Sequence, residues 1–243
     1  MRYRSTRSYS HRHINDIIPL EQSFIIILSI ILIFIIIKHI KHQAKTKRDD
    51  DFFNKSIKDG YCFIEASNEI PEIPYHFQLL RSAEQYPTYS SIIMGERNGM
   101  SFGIMDYTFI YHKGKHTYIE LCTLWIMTCG HNSNIHSFIL NYRNGFNELF
   151  NYSNTKITFP EDKAFSNCYS LSGPDEQSLK KLFNQDLRTA FVTANNYQFD
   201  FESSRGFFLV ATKKIFRPDD YETRIRILDK MIDLYRILLA RYK

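Results

Sequence analysis

Cys129, His131 and His136 stand within eight residues as C-G-H-N-S-N-I-H, with Cys122 just upstream. Thiolate and imidazole are the ligands zinc prefers, so these three are the best metal candidates in the chain. Structural zinc sites, however, draw on paired short spacings such as C-x2-C, and no such pair is present. The intervening GHNSN is turn-like, a setting in which histidine is solvated. The expectation is therefore no cofactor, with Cys129, His131 and His136 as the residues a metal would use. His112 and His116 flank the turn H-K-G-K-H and read as exposed turn histidines.

Other reactive patterns are weaker. Gly95, Gly99 and Gly103 space G-E-R-N-G-M-S-F-G, but no helix or Lys-Ser/Thr ending follows, as a phosphate loop requires. Asn98-Gly99 reads instead as a tight turn between strands, since both residues tolerate positive φ. There is no G-x-S-x-G, no H-E-x-x-H and no dinucleotide fingerprint. Cys122 and Cys168 sit among apolar residues, where cysteine acts as a small buried hydrophobe. Asp106 lies inside an apolar strand, so its carboxylate must find a partner; Arg97, Lys113 and a tyrosine hydroxyl are the candidates. Catalysis is not supported by any of these patterns.

The elements that must position these residues are legible from composition. Tyr61–Ala66, Ser90–Met94, Phe102–Tyr111 and Thr117–Met127 are rich in β-branched and aromatic residues and read as strands. Both faces of 102–111 are apolar, which predicts a central strand covered on both sides. Ile119, Leu121, Thr123, Trp125 and Met127 share one face of the next strand. Further strands fit 137–141, 157–159, 197–202 and 206–212. Gly173 and Pro174 predict the start of one helix running past Phe191, with Asp175 and Glu176 at the positive end of its dipole. Pro218 opens a last helix to about Tyr242, with Tyr221, Ile225, Leu228, Ile232, Tyr235 and Leu239 along one stripe. That stripe is wider than a coiled-coil seam and predicts packing on the sheet, a homo-oligomer through this helix being the other option. The fold class is α+β, with an antiparallel-rich sheet and one internal and one C-terminal amphipathic helix.

Before the sheet comes a different kind of segment. Phe24–Ile37 reads FIIILSIILIFIII, with Ser29 its one polar residue. As a helix these residues rise about 21 Å, short of a hydrocarbon core of about 30 Å. Ile17, Ile18 and Leu20 before it and Ile40 after it extend the run, and the apolar side chains favour insertion by about 6 kcal/mol. No small-residue cleavage site follows, so an uncleaved anchor is expected rather than a signal peptide. The divisions are a polar tail over 1–16, an anchor over 17–40, a juxtamembrane linker or helix start over 41–58, and one domain over 59–243.

Charge supports the same division. The 243 residues carry a formal +5, yet residues 1–48 alone carry nine basic and two acidic groups. The remaining 22 basic and 24 acidic residues leave the domain at −2. A nucleic-acid binder places a basic stripe on its domain, so nucleic acid is not expected as a partner. Lys38, Lys41, Lys45, Lys47 and Arg48 crowd the downstream flank, and the positive-inside rule then puts the domain in the cytoplasm. Four cysteines without framework spacing suit that reducing compartment.

MGERNGMSFGIMDYTF, then FILNYR, then FSNCYSLSGPDEQSLKKLF, followed by a strand pair and a final helix, resemble an uncharacterised bacterial family. Its members are single-pass membrane-anchored proteins with one soluble domain of unknown function. The resemblance covers residues 89–240 and is carried by Gly95–Gly99, Asp106-Tyr107 and Phe165–Phe183. The chain departs from it at 135–143, where the family shows a proline-bounded F-x-L-x-P strand. It implies an anchored α+β domain and no catalytic residues. The expected function is a non-catalytic interaction module at the membrane surface, with membrane lipid and an unidentified protein as partners. The alternatives are a membrane-tethered hydrolase or metal-dependent enzyme, and a self-associating scaffold.

Overall fold

A computed structural model describes residues 20–67, 77–81, 85–113, 115–128, 136–143, 155–213, 216 and 220–241. The chain divides into two compact units, Met1–Thr46 and Lys47–Lys243. Helix α1 (Leu20–Lys58) begins in the first and ends in the second, and it includes 41–58, the stretch read as a linker or helix start. Its Ile30–Ile37 side chains are each 44–69% exposed. Among the described residues no helix is long and apolar enough to cross a membrane. Within this segment, the described side chains form the run Ser29–Ile40.

Among the described residues nine strands form one sheet in the order β1-β2-β3-β4-β9-β8-β5-β7-β6, every neighbouring pair antiparallel. β1 is Cys62–Ser67, and the long meander is β2 (Gln85–Arg97), β3 (Met100–Lys113) and β4 (His116–Thr128). β5 (Phe138–Tyr142), β6 (Thr155–Ile157), β7 (Tyr169–Gly173), β8 (Asp200–Ser204) and β9 (Phe207–Thr212) complete it. Asn98 and Gly99 join β2 to β3 with φ of 55° and 73°, the two-residue turn their composition predicts.

β3 is central, as its two apolar faces require. Phe102 and Ile104 are buried on one side, Met105 and Tyr107 on the other. The first side carries most of the core: α3 (Lys163–Cys168), α4 (Glu176–Leu182), α5 (Gln185–Ala194), α6 (Tyr221–Ala240) and the end of α1. Aromatic rings dominate it. Phe191 stacks on Phe183 at 5.4 Å and meets Phe201 edge-on at 4.9 Å, while Phe208 stacks on Tyr235 at 5.2 Å. The second side is covered by Phe77 and the short α2 (Gln78–Arg81). The last helix thus packs on the sheet, burying Ile225, Leu228, Met231, Ile232, Tyr235 and Leu238.

Two local expectations are corrected, and two short elements are added. The internal helix is two: Phe183 leaves helical geometry, and the Asn184 side chain caps α5 by accepting from Leu187 N at 3.1 Å. An asparagine amide competes for backbone groups in this way and favours a cap over a helix interior. Arg188 Nη1 then donates to the freed Phe183 carbonyl at 2.9 Å. The cap of α4 is Asp175, not Gly173, which stays in β7 because a Cβ there would collide with Leu179 and the Ser137 carbonyl. α3 and β7 lie within FSNCYSLSG, too short to leave a periodic signature.

Asp162 caps α3 by accepting from Phe165 N at 3.0 Å, and Arg188 Nε donates to its other oxygen at 2.8 Å. The Arg188 bond, then the backbone bond, hold its carboxyl below the usual range. A carboxylate with a lowered folded pKa contributes stability above its unfolded pKa of about 3.9, and loses it as pH falls through the folded value. Asp162→Asn keeps a cap acceptor but loses the charge. It is expected to lower stability by about 1 kcal/mol at pH 7 and to flatten the acid limb of the stability–pH profile. Denaturant melts between pH 7 and pH 2 check this; parallel profiles for variant and parent would refute it.

Candidate functional site

Asp106 lies mid-way along β3, opposite Thr123 of β4 on the face under α6. Thr123 Oγ1 donates to its carboxylate at 2.9 Å. Arg224, three residues into α6, donates from Nη2 to both carboxylate oxygens at 3.0 and 3.1 Å and to the Phe216 carbonyl at 3.3 Å. The guanidinium lies 4.8 Å from the Phe52 ring of α1 and 5.8 Å from that of Phe216. Trp125 Nε1 donates to the Arg224 carbonyl at 3.1 Å, tying the same residue to β4. Arg224 is fully buried, and among the described residues its Nε and Nη1 have no hydrogen-bond partner.

The charged partner of Asp106 is therefore Arg224 rather than Arg97. Arg97 forms a two-pronged pair with Asp229 at 2.5 and 2.9 Å and donates to Tyr61 Oη at 2.7 Å. Arg224 left one trace in the sequence. It stands three residues after Tyr221 and four before Leu228, a charge within the apolar stripe. A charge there needs a buried counter-charge, and an aspartate inside an apolar strand supplies it. Linear spacing cannot show which pair will meet.

Other buried carboxylates are likewise engaged within the chain. Asp49 accepts from Ser91 Oγ at 3.2 Å, where β2 shifts register and Ser91 takes a φ of 50°. Glu202 accepts from the backbone N–H groups of Gln78 and Leu79 at 2.7 and 2.8 Å, and Asp200 from Tyr142 N at 2.6 Å. A carboxylate shut from water and bonded to fixed donors cannot reach a substrate proton. These groups lock α1, α2 and α6 onto the sheet.

Cys129 and His131 lie outside the described residues, and His136 is exposed ahead of β5. Among the described residues no three His, Cys, Asp or Glu side chains come together to hold a metal. Cys62, Cys122 and Cys168 are free thiols, exposed, buried and half-buried. Lys38, Lys41, Lys45, Lys47 and Arg48 all fall on α1; Lys38 and Lys47 are exposed.

The opposite face of the meander holds an apolar depression of about 280 Å³. Gly103 is its floor, and Met94, Met105, Ile126 and Phe207 stand around it, with Ser101 and Thr128 at the rim. The missing side chain of Gly103 keeps it open, for a Cβ there would reach van der Waals contact with the Met105 methyl at 3.4 Å. Ligand pockets run from about 300 to 1,000 Å³, so this one suits an apolar side chain or a short hydrocarbon. Its lining contains no titratable group, and methionine adapts to varied shapes.

Comparison with protein-family models finds none that matches this chain, and none of the curated proteins matches it. Among solved structures, the crystal structure of the mycobacterial trehalose monomycolate transport factor A, TtfA, is similar over 78% of this chain and 95% of its own. The TM-score is 0.49 and the sequence identity 11%.

Breaking a buried pair strands one charge and costs about 3–5 kcal/mol, whereas replacing both partners by apolar groups costs far less. Arg224→Met and Asp106→Leu are each expected to destabilise by about that amount, and the double variant by less than their sum. Urea denaturation of all four proteins measures the coupling. Additive single effects would show that the pair contributes nothing.

Proposed function

We propose that this chain is a membrane-anchored, non-catalytic interaction module. The observation that carries the reading is α1. From Ile30 to Ile37 it is apolar around its whole circumference and exposed at every position. A helix hydrophobic all round belongs in a protein core or a bilayer, since water on every face costs about 25 cal/mol per Å² of apolar surface. The described run Ser29–Ile40 rises about 18 Å, and the sequence continues it back to Phe24 and beyond. Lys38, Lys41, Lys45, Lys47 and Arg48 follow on the same helix, where ammonium groups reach the interface and meet anionic headgroups.

The domain supplies the second half of the reading. Its buried carboxylates are bonded within the fold, and its apolar depression offers shape without reactive groups. The function that fits is recognition: an apolar group of a protein partner seated over Gly103, with the domain held near the bilayer by α1. The basic flank directs the domain to the cytoplasm, and the resemblance over 89–240 to a family of anchored proteins agrees with the anchor.

Alkaline extraction of membranes tests the anchor, and protease accessibility of a C-terminal tag tests its direction. The full chain is expected to stay with the membrane after extraction. The tag is expected to be protected in intact cells and cut in inverted vesicles. Replacing Lys38, Lys41, Lys45, Lys47 and Arg48 by Gln is expected to weaken or invert that orientation. Release of the chain by extraction would overturn the anchor, and an orientation unmoved by the five replacements would overturn the role of the basic flank.

A further inference from the structure

Helices α5 and α6 lie side by side on the aromatic face of the sheet. Asp186, in the first turn of α5, is 3.7 Å from Arg241, the C-cap of α6. At the other end Tyr197, just past α5, packs on Phe216, whose carbonyl accepts from Arg224 in the first turn of α6. The two helices are therefore antiparallel. On their exposed side they leave a groove of about 480 Å³. Its α5 wall is low, with Ala190 and Ala194 one turn apart, while Leu234 and Ile237 stand on the α6 wall. Leu234 is buried, but Ile237 is 40% exposed, and across the described residues of α3 to α6 it is the only exposed large hydrophobic residue. A branched side chain turned outward beside two alanines forms a ridge and a groove that a further helix can interlock with.

The charges around the groove are ordered about Ile237. Asp233 precedes it by four residues and Arg241 follows it by four, so an acid and a base stand about one turn to either side. Both are held loosely within the chain. Asp233 is 72% exposed and 3.8 Å from Arg236, and the Asp186 that Arg241 meets is 86% exposed. Lys230, also exposed, lies one turn before Asp233 in the same groove. Two acids and two bases leave the groove neutral, so it does not select a strongly charged partner. Opposite charges at equal distances from a central apolar residue instead match their own image under a two-fold axis. Where two copies of α6 cross antiparallel at Ile237, each Asp233 meets the Arg241 of the other copy.

We infer that the α5–α6 groove is a self-association site, in which α6 of a second copy of this chain docks antiparallel and the two helix pairs form a four-helix bundle. Ile237 of each copy leaves water at the two-fold axis, and the small side chains of Ala190 and Ala194 let the helices approach. Arg241 exchanges the Asp186 of its own chain for the Asp233 of the other, and the released Asp186 is then faced by Lys230 of that second copy. The contact is isologous and closes on itself, so it ends at a dimer rather than a filament. The depression over Gly103 lies on the opposite face of the sheet, so the dimer presents two copies of it. On the recognition reading above, a partner carrying repeated apolar side chains would then bind both and gain avidity.

Sedimentation equilibrium of the full chain in a density-matched non-ionic detergent reads the association directly. The parent is expected to be a dimer and Ile237→Glu a monomer. Asp233→Arg and Arg241→Asp each set like charges together at both symmetry-related contacts, and each is expected to weaken dimerisation about tenfold or more. An equimolar mixture of these two variants restores opposite charges at both contacts and is expected to dimerise as the parent does. The exchanged side chains form only loose surface pairs within the chain, so the variants keep the fold, which matching urea midpoints check. A monomeric parent overturns the inference and leaves the groove to a different protein. A dimer that neither charge variant weakens is made by another surface and overturns it too, as does a mixture of the two variants that stays monomeric. None of these outcomes bears on the anchor, which alkaline extraction tests separately.

Discussion

Arg224 carries its charge where water does not reach, and the arrangement of the domain follows from the need to keep it company. Removing a guanidinium from water costs several kcal/mol even after relaxation, so the fold must hold a carboxylate within hydrogen-bond distance. Asp106 does this only if β3 presents it towards α6, and a slip of one residue would turn it to the other face. The register of β3 against β4 is thereby tied to the position of α6, and Thr123 opposite Asp106 adds a second bond to the carboxylate. Phe52 over the guanidinium brings α1 into the same arrangement, and Trp125 bonded to the Arg224 carbonyl closes it from β4. One ion pair thus relates two helices and two strands that are far apart in the chain.

The two faces of the sheet serve different ends. Under α3 to α6 the filling is aromatic, with rings meeting edge-on or stacked, and rings of that size leave little freedom for alternatives. Across the sheet, among the described residues, Phe77 and the short α2 supply the cover, and Gly103 lines an apolar depression. The rigid side fixes the positions of the strands. The other side carries the apolar depression, bordered by Met94 and Met105, side chains that adapt in shape.

Helix α1 changes character along its length. α1 carries an apolar circumference at one stretch and an amphipathic, salt-bridged one at another, where Lys55 joins Asp51 of its own helix to Glu222 of α6.

Sequence alone determined whatever depends on neighbours in the chain. The apolar run, the basic flank, the alternation of β3 and β4, the turn at Asn98-Gly99 and the stripe of α6 each rest on side chains at fixed spacing, and each is visible without a partner. The division of 174–191 into two helices was half visible, because Asn184 is a capping residue, but its side chain had to bond Leu187 N for the break to exist. The elements within FSNCYSLSG were invisible, being stabilised by the sheet and by Arg188 rather than by any period of their own. Tertiary structure alone decided that β9 lies beside β4 and β5 between β8 and β7, that Arg97 goes to Asp229, and that Asp106 meets Arg224 across 118 residues. The physical reason is that a charge in a linear sequence has many possible counter-charges. Only folding, by excluding water, makes the wrong ones too costly to keep.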